Sequence, residues 1–192
     1  MIPDGYTDLP PGKIAAVVTY LAMTAPPPIE RRPLDLVPLR GDPARYRALF
    51  RRVGEPWLWF SRAAWSDAAL RAVIDHPDVE ALALREAGRD VGLLELDFRE
   101  AGTGEIAYFG LVPEAAGRGL GRALMAEAIA RAFARPVARL TVHTCTLDDP
   151  RALPFYLRAG FRATRRAVEV ADDPRLTGAL SRDAAPGCPV IG

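Results

Sequence analysis

Three glycines alternate in Gly117-Arg118-Gly119-Leu120-Gly121, between a strand-like run (Glu105–Val112) and a long helical pattern. No other stretch constrains the chain as much as Gly104–Phe133, which contains it. Pro113 stops the strand, a short loop reaches the glycines, and the helix starts at once. Glycine has no Cβ, so the backbone there can approach a ligand closely. The free N–H groups of the helix start point into the same space and favour an anion, typically a phosphate. The unit reads as a cradle for a phosphorylated cofactor.

The spacing excludes two common cradles. A Walker A loop requires Gly-Lys-Ser/Thr, but Gly121 is followed by Arg122-Ala123. A dinucleotide fold requires G-x-G-x-x-G after the first strand of a βαβ unit, and this chain has G-x-G-x-G past its middle. A second informative segment lies downstream, Asp149-Pro150-Arg151-Ala152-Leu153-Pro154-Phe155-Tyr156-Leu157-Arg158-Ala159-Gly160-Phe161. Asp148 or Asp149 can cap a helix there, Pro150 suits its first turn, and Gly160 can end it in the left-handed conformation.

Together the two segments resemble the GNAT superfamily, the acyl-CoA-dependent N-acetyltransferases. The family's loop pattern is Gln/Arg-x-x-Gly-x-Gly/Ala, and Ala116–Gly121 follows it with Ala116 in place of Gln/Arg. Its downstream pattern is Asn-x-x-Ala-x-x-x-Tyr-x-x-x-Gly-Phe. Ala152, Tyr156, Gly160 and Phe161 match it, with Asp149 in place of Asn. The resemblance covers roughly residues 84–170.

It implies an α/β fold with a mixed central sheet, flanked by helices and splayed between its fourth and fifth strands. It implies acetyl-CoA as co-substrate, with the pantetheine arm beside Leu111 and Val112. Gly117, Arg118, Gly119, Leu120, Gly121 and Arg122 would then hold the phosphates, the two arginines by charge. Tyr156 takes the place of the general acid that protonates the leaving thiolate, and Glu105 that of a base acting on the amine. The implied reaction is direct transfer to a primary amine, on a small molecule or a peptide, in a ternary complex. A non-catalytic acyl-CoA-binding sensor or assembly subunit is the alternative.

The remaining sequence adds limits. With net charge +1 the chain has no nucleic-acid footprint. Cys145 and Cys188 lack metal or redox spacing, which suits a reducing cytoplasm. Ile14–Met23 is too short to span a membrane, and Asp4 and Asp8 argue against a signal peptide. A single domain is expected over 1–192, with 1–33 as an N-terminal strand extension and 171–192 as a tail that is either an ordered wrap or a loose end. Lys13–Met23 and Leu34–Arg40 read as an N-terminal hairpin. A long apolar strand at an open edge would invite a homodimer.

Asp42–Val53 and Ser66–Asp75 read as helices, and Val79–Arg85 with Arg89–Phe98 as a hairpin around Ala87-Gly88. The helix 118–135 places Met125, Ala128, Ile129, Ala132 and Phe133 on one face and Glu127, Arg131 and Arg135 on the other, with Glu127 and Arg131 at the favourable i,i+4 spacing. His143 could titrate near neutral pH, but mid-strand it reads first as a core histidine. Cys145 reads as a buried small residue. The aromatics Trp57, Trp59, Phe60 and Trp65 either wall an acceptor pocket for an apolar amine or join the core, and Glu55 is a candidate partner for its ammonium.

Overall fold

Seven strands form one mixed sheet in the computed structural model, which describes residues 4–192. They are β1 (Lys13–Met23), β2 (Asp35–Pro38), β3 (Val79–Glu86), β4 (Arg89–Asp97), β5 (Thr103–Leu111), β6 (Arg139–Cys145) and β7 (Arg162–Asp172). Four helices accompany them: α1 (Pro43–Gly54), α2 (Asp67–Ile74), α3 (Leu120–Phe133) and α4 (Ala152–Arg158). The strand order across the sheet is β2-β3-β4-β5-β6-β1-β7.

The first half of the sheet follows local rules. Asp42 caps α1 by accepting from the Arg45 amide, with Pro43 in the first turn, and Ser66 caps α2 by accepting from Ala69. Ala87 and Gly88 both have positive φ, the conformation of the tight turn that joins β3 to β4. Tyr46, Leu49, Phe50 and Val53 are the buried face of α1, which packs on β4 and β5. Gly110 permits that approach, because a Cβ there would come within 2.4 Å of Val53.

The second half is assembled from the two ends of the chain. β6 and β7 are each antiparallel to β1, so they run parallel to one another, and α4 carries the chain between them across one strand's width. β1 fills that slot, burying Ile14, Ala16, Val18, Leu21 and Met23. The N-terminal residues are therefore part of the sheet rather than an extension ahead of it, and the expected β1–β2 hairpin does not form. β2 pairs with β3 at the far edge. The segment between β1 and β2 runs past α3, where Arg31 donates to Glu127 at 2.6 and 3.0 Å.

Glu127 is consequently buried, and it also makes the expected i,i+4 pair with Arg131, at 2.8 Å. Arg131 and Arg135 reach Glu80 of β3, so the charged face of α3 is closed by ion pairs. β1 is also not an open edge, which removes the reason for expecting self-association through it; the sheet's edges are β2 and β7.

The tail beyond β7 is ordered. The Arg175 side chain is 1% exposed and binds both oxygens of Asp173, at 2.9 and 2.7 Å. It also donates to the carbonyls of Ala184 and Cys188, which the turning chain leaves without strand or helix partners. Leu180, Ala184 and Ala185 join the core cluster that contains Ile14. Among the described residues no helix is long and apolar enough to cross a membrane.

Candidate active site

β5 and β6 pair in parallel only from Thr103–Ile106 to Arg139–Val142 and then separate. A cavity of about 500 Å³ opens at the parting. Phe109, Gly110 and Leu111 form one wall, and Val142, His143 and Cys145 the other. Gly117 and Gly121 lie at one end, Tyr156 and Phe155 of α4 line the floor, and the segment 57–61 covers the other end.

The glycine loop has the expected form. Gly117 and Gly119 have φ of 78° and 76°, and no backbone or core atom lies within 4 Å of either missing Cβ. Backbone conformation, not crowding, requires glycine at both positions. Gly119 caps α3 without a side chain, and the first amide of the turn to be satisfied is Ala123, which donates to Gly119. Among the described residues the amides of Gly117 to Arg122 donate to nothing in the chain, so they remain for an anion. Arg122 is exposed and makes no ion pair among the described residues, whereas Arg118 holds Glu86 at 2.8 Å. That exposed pair is weak enough to exchange for a ligand's phosphate.

Along β5 the expected pair of cofactor contacts divides. Val112 is fully buried, its amide donates to Val91 at 3.0 Å, and its carbonyl accepts from Ala115. Neither group is free, so the expectation that Val112 holds the cofactor is corrected. In an antiparallel ladder the neighbouring residue directs its polar groups the other way. Leu111 therefore points its amide and carbonyl towards the opening left by β6, as does Phe109 two residues back.

Tyr156 is buried among Phe109, Phe155 and Phe161, with ring centroids 5.7–6.3 Å away. Its hydroxyl has no hydrogen-bond partner among the described residues, and the residue lines the cavity. Burial, helped by the negative Asp148, pushes the phenol well above its ordinary pKa. It therefore keeps its proton throughout the neutral range, ready to hydrogen-bond an atom that gains negative charge.

Glu105 does not line this cavity. It sits in a shallow polar depression with Asp97, Arg99, Glu100 and Thr103. It meets the cavity through His143, whose Nδ1 lies 3.5 Å from Glu105 Oε1. His143 is not the core histidine expected, since its side chain is 46% exposed and faces the cavity. The Glu105 contact raises its pKa against the opposing effect of burial, with Asp148 and Glu169 adding to the rise.

The cover over the cavity was only partly foreseen. Leu58 adopts a left-handed φ of 56°, and the turn it makes lays Trp59 against Gly54, where a Cβ would collide at 2.4 Å. The Trp59 indole then donates across the cavity to Asp148 at 2.9 Å. Of the two expected cap candidates, Asp148 instead accepts from Thr144 and the Cys145 amide and anchors this strut, while Asp149 holds the turn before α4. Trp57, Trp59 and Phe60 line the cavity, while Trp65 lies outside it, under the Arg62 guanidinium at 4.2 Å. Arg62 binds Glu95, a fully buried carboxylate that also accepts from Tyr46. A lone carboxylate in the apolar run Leu93-Leu94-Glu95-Leu96 was the signal for this network; nothing in the sequence pointed to its partners.

The fold is shared with known proteins. The acetyltransferase (GNAT) family model matches residues 48–161, more than half of the chain. No curated protein matches this chain. A GNAT-family structure from Novosphingobium aromaticivorans shares 21% identity over 85% of this chain and 68% of that one, with a TM-score of 0.62. A GCN5-related N-acetyltransferase from Sphaerobacter thermophilus shares 21% identity over 82% of this chain, at a TM-score of 0.60. This chain spans about half (52%) of the Sphaerobacter chain. An aminoglycoside acetyltransferase from an uncultured soil metagenomic sample shares 22% identity over 70% of this chain and 95% of that one, at a TM-score of 0.57. The folds correspond, the family match covers both motif segments, and the chain belongs to the GNAT acetyltransferase family.

Proposed function

We propose that the protein moves an acetyl group from acetyl-CoA to a primary amine carried on an apolar body, by direct transfer in a ternary complex. The carrying observation is that one cavity joins the unbonded glycine-loop amides to both Tyr156 and His143. The loop amides and Arg122 hold the cofactor's phosphates, and Leu111 and Phe109 pair with its pantetheine amides as an added strand would. His143 in its neutral form accepts a proton from the ammonium, and Glu105 orients the imidazole and raises its basicity. The amine nitrogen then bonds to the thioester carbon. As the carbon–sulfur bond breaks, the electron pair leaves on sulfur, Tyr156 donates its proton to that thiolate, and the proton the nitrogen sheds on becoming an amide returns to the tyrosinate. Trp57, Trp59, Phe60 and Tyr108 give the acceptor end an aromatic wall.

The test is a thermal-shift titration with acetyl-CoA, paired with a thiol-release assay on aromatic and aliphatic amines. A ligand at ~100 times its dissociation constant adds ~2.7 kcal/mol to a native state that alone binds it. Gly119→Asp should abolish the shift, because it forces a side chain into a left-handed position and sets a negative charge at the phosphate. No shift at millimolar acetyl-CoA would end the proposal. A shift without thiol release on any amine would turn it towards the non-catalytic acyl-CoA-binding alternative.

A further inference from the structure

We infer that β7 is the interface of a symmetric dimer, in which two copies pair antiparallel about Ala167 and extend one sheet into the other. Among the described residues β7 has no neighbour beyond it, and all of Arg162–Asp172 except Ala167 and Ala171 are exposed. An edge strand this long is normally blocked by like charges. Here the charges are self-complementary instead. In Arg162-Ala-Thr-Arg165-Arg166-Ala167-Val168-Glu169-Val-Ala-Asp172 the arginines precede Ala167 and the acids follow it.

A two-fold axis through Ala167 sets Arg165 of each copy directly opposite Glu169 of the other. Both side chains lie on the same sheet face, since they pair with Tyr20 and Ala16 of β1, four residues apart. Sliding one copy by two residues in one sense opposes Arg166 to Arg166. In the other sense it leaves Arg165 opposite Ala171 without a charge partner. Of these three registers the central one is favoured.

The opposite sheet face supplies apolar contact. Val17, Val168 and Val170 are 42%, 47% and 53% exposed, and Val17 pairs with Val168. In the central register Arg166 of each copy lies opposite Val168 of the other, so its aliphatic stem covers that valine. The valines of both copies then form one stripe across the joined sheets. Glu169 also lines the active-site cavity, so the pairing sets an arginine of the second copy beside each acceptor end.

Light scattering on the full chain should report twice the chain mass of 20.8 kDa. Arg165→Glu alone and Glu169→Arg alone should each halve the mass, since each opposes like charges twice. Mixing the two variants should restore the dimer, because every contact then joins opposite charges. In a separate variant, Ala167→Cys should form a copy-to-copy disulfide under mild oxidation, as residues facing across the axis have Cβ atoms ~4.5–5.5 Å apart. A monomeric wild type would overturn the inference. So would a dimer indifferent to both charge changes, or single variants that dissociate and are not rescued by mixing.

Discussion

The two walls of the cavity are built in opposite ways. The β5 wall ends a run of neighbours, β2-β3-β4-β5, each antiparallel to the strand before it in the sheet. The β6 wall belongs to a trio, β6-β1-β7, whose middle strand comes from the other end of the chain. Val18 pairs with Cys145 on one side and Ala167 on the other, partners more than a hundred residues away. The glycine loop and Leu111 extend from the local wall, whereas His143 and Tyr156 depend on the distant one. The proposed cofactor binding is thus set on a scaffold of short contact range, and the proposed proton transfers on one that requires both termini. Among the described residues two polar ties join the halves above the short parallel ladder: the Trp59–Asp148 strut and the His143–Glu105 contact.

Removing residues 1–24 is the most severe way to break the second wall. Ile14, Val18, Leu21 and Met23 are buried. At about 1.5–3 kcal/mol for each such side chain the loss is roughly 6–12 kcal/mol, comparable to the ~5–15 kcal/mol that holds a domain together. The truncated chain should lose its cooperative melt by circular dichroism. A sharp transition near the wild-type temperature would mean that β6 and β7 close without β1.

Tyr156→Phe tests the same wall with the fold intact. It keeps the ring packed on Phe109, Phe155 and Phe161 and deletes only the proton donor. Turnover should fall ~10²–10⁴-fold, the usual effect of losing a general acid, while the acetyl-CoA thermal shift is kept. Unchanged turnover, with chemistry rate-limiting, would leave Tyr156 as a packing residue.

Glu105→Gln probes one tie between the walls. Glu105 raises the His143 pKa, so the neutral imidazole appears only as pH climbs through that raised value. Without the carboxylate the pKa falls, and the acid limb of kcat/KM should move to lower pH. For stability the sign runs the other way, since the protonated pair's contribution is present at acid pH and lost as pH rises through the raised value. An acid limb that does not move would detach Glu105 from the titrating group.

Trp59→Phe cuts the other tie and should have the smallest effect. The ring still fills the space against Gly54 and Phe50, and the indole donor to Asp148 is gone. A loss of about 1 kcal/mol is expected for one partly exposed hydrogen bond. Faster amide exchange should be confined to the loop between β6 and α4. Exchange spreading into β3 or β4 would show that the strut stabilises far more than the cavity's cover.

The legible features were those decided within a few residues. Asp42 and Ser66 as helix caps and Ala87-Gly88 as a tight turn each follow from side-chain chemistry acting on the adjacent backbone. The motif segments were legible for the same reason, and with them the family. The tertiary structure decided what depends on distant partners. An apolar strand such as Lys13–Met23 is defined by its own residues, but nothing in it names the strands that will flank it, because any ladder satisfies the same backbone groups. Burial of Glu95 and Glu127 depended on where Arg62 and Arg31 arrive, and the proposed role of His143 depended on the parting of β5 from β6. A carboxylate or imidazole takes its charge, exposure and basicity from neighbours brought by the fold, so its proposed function can be read only once the walls are assembled.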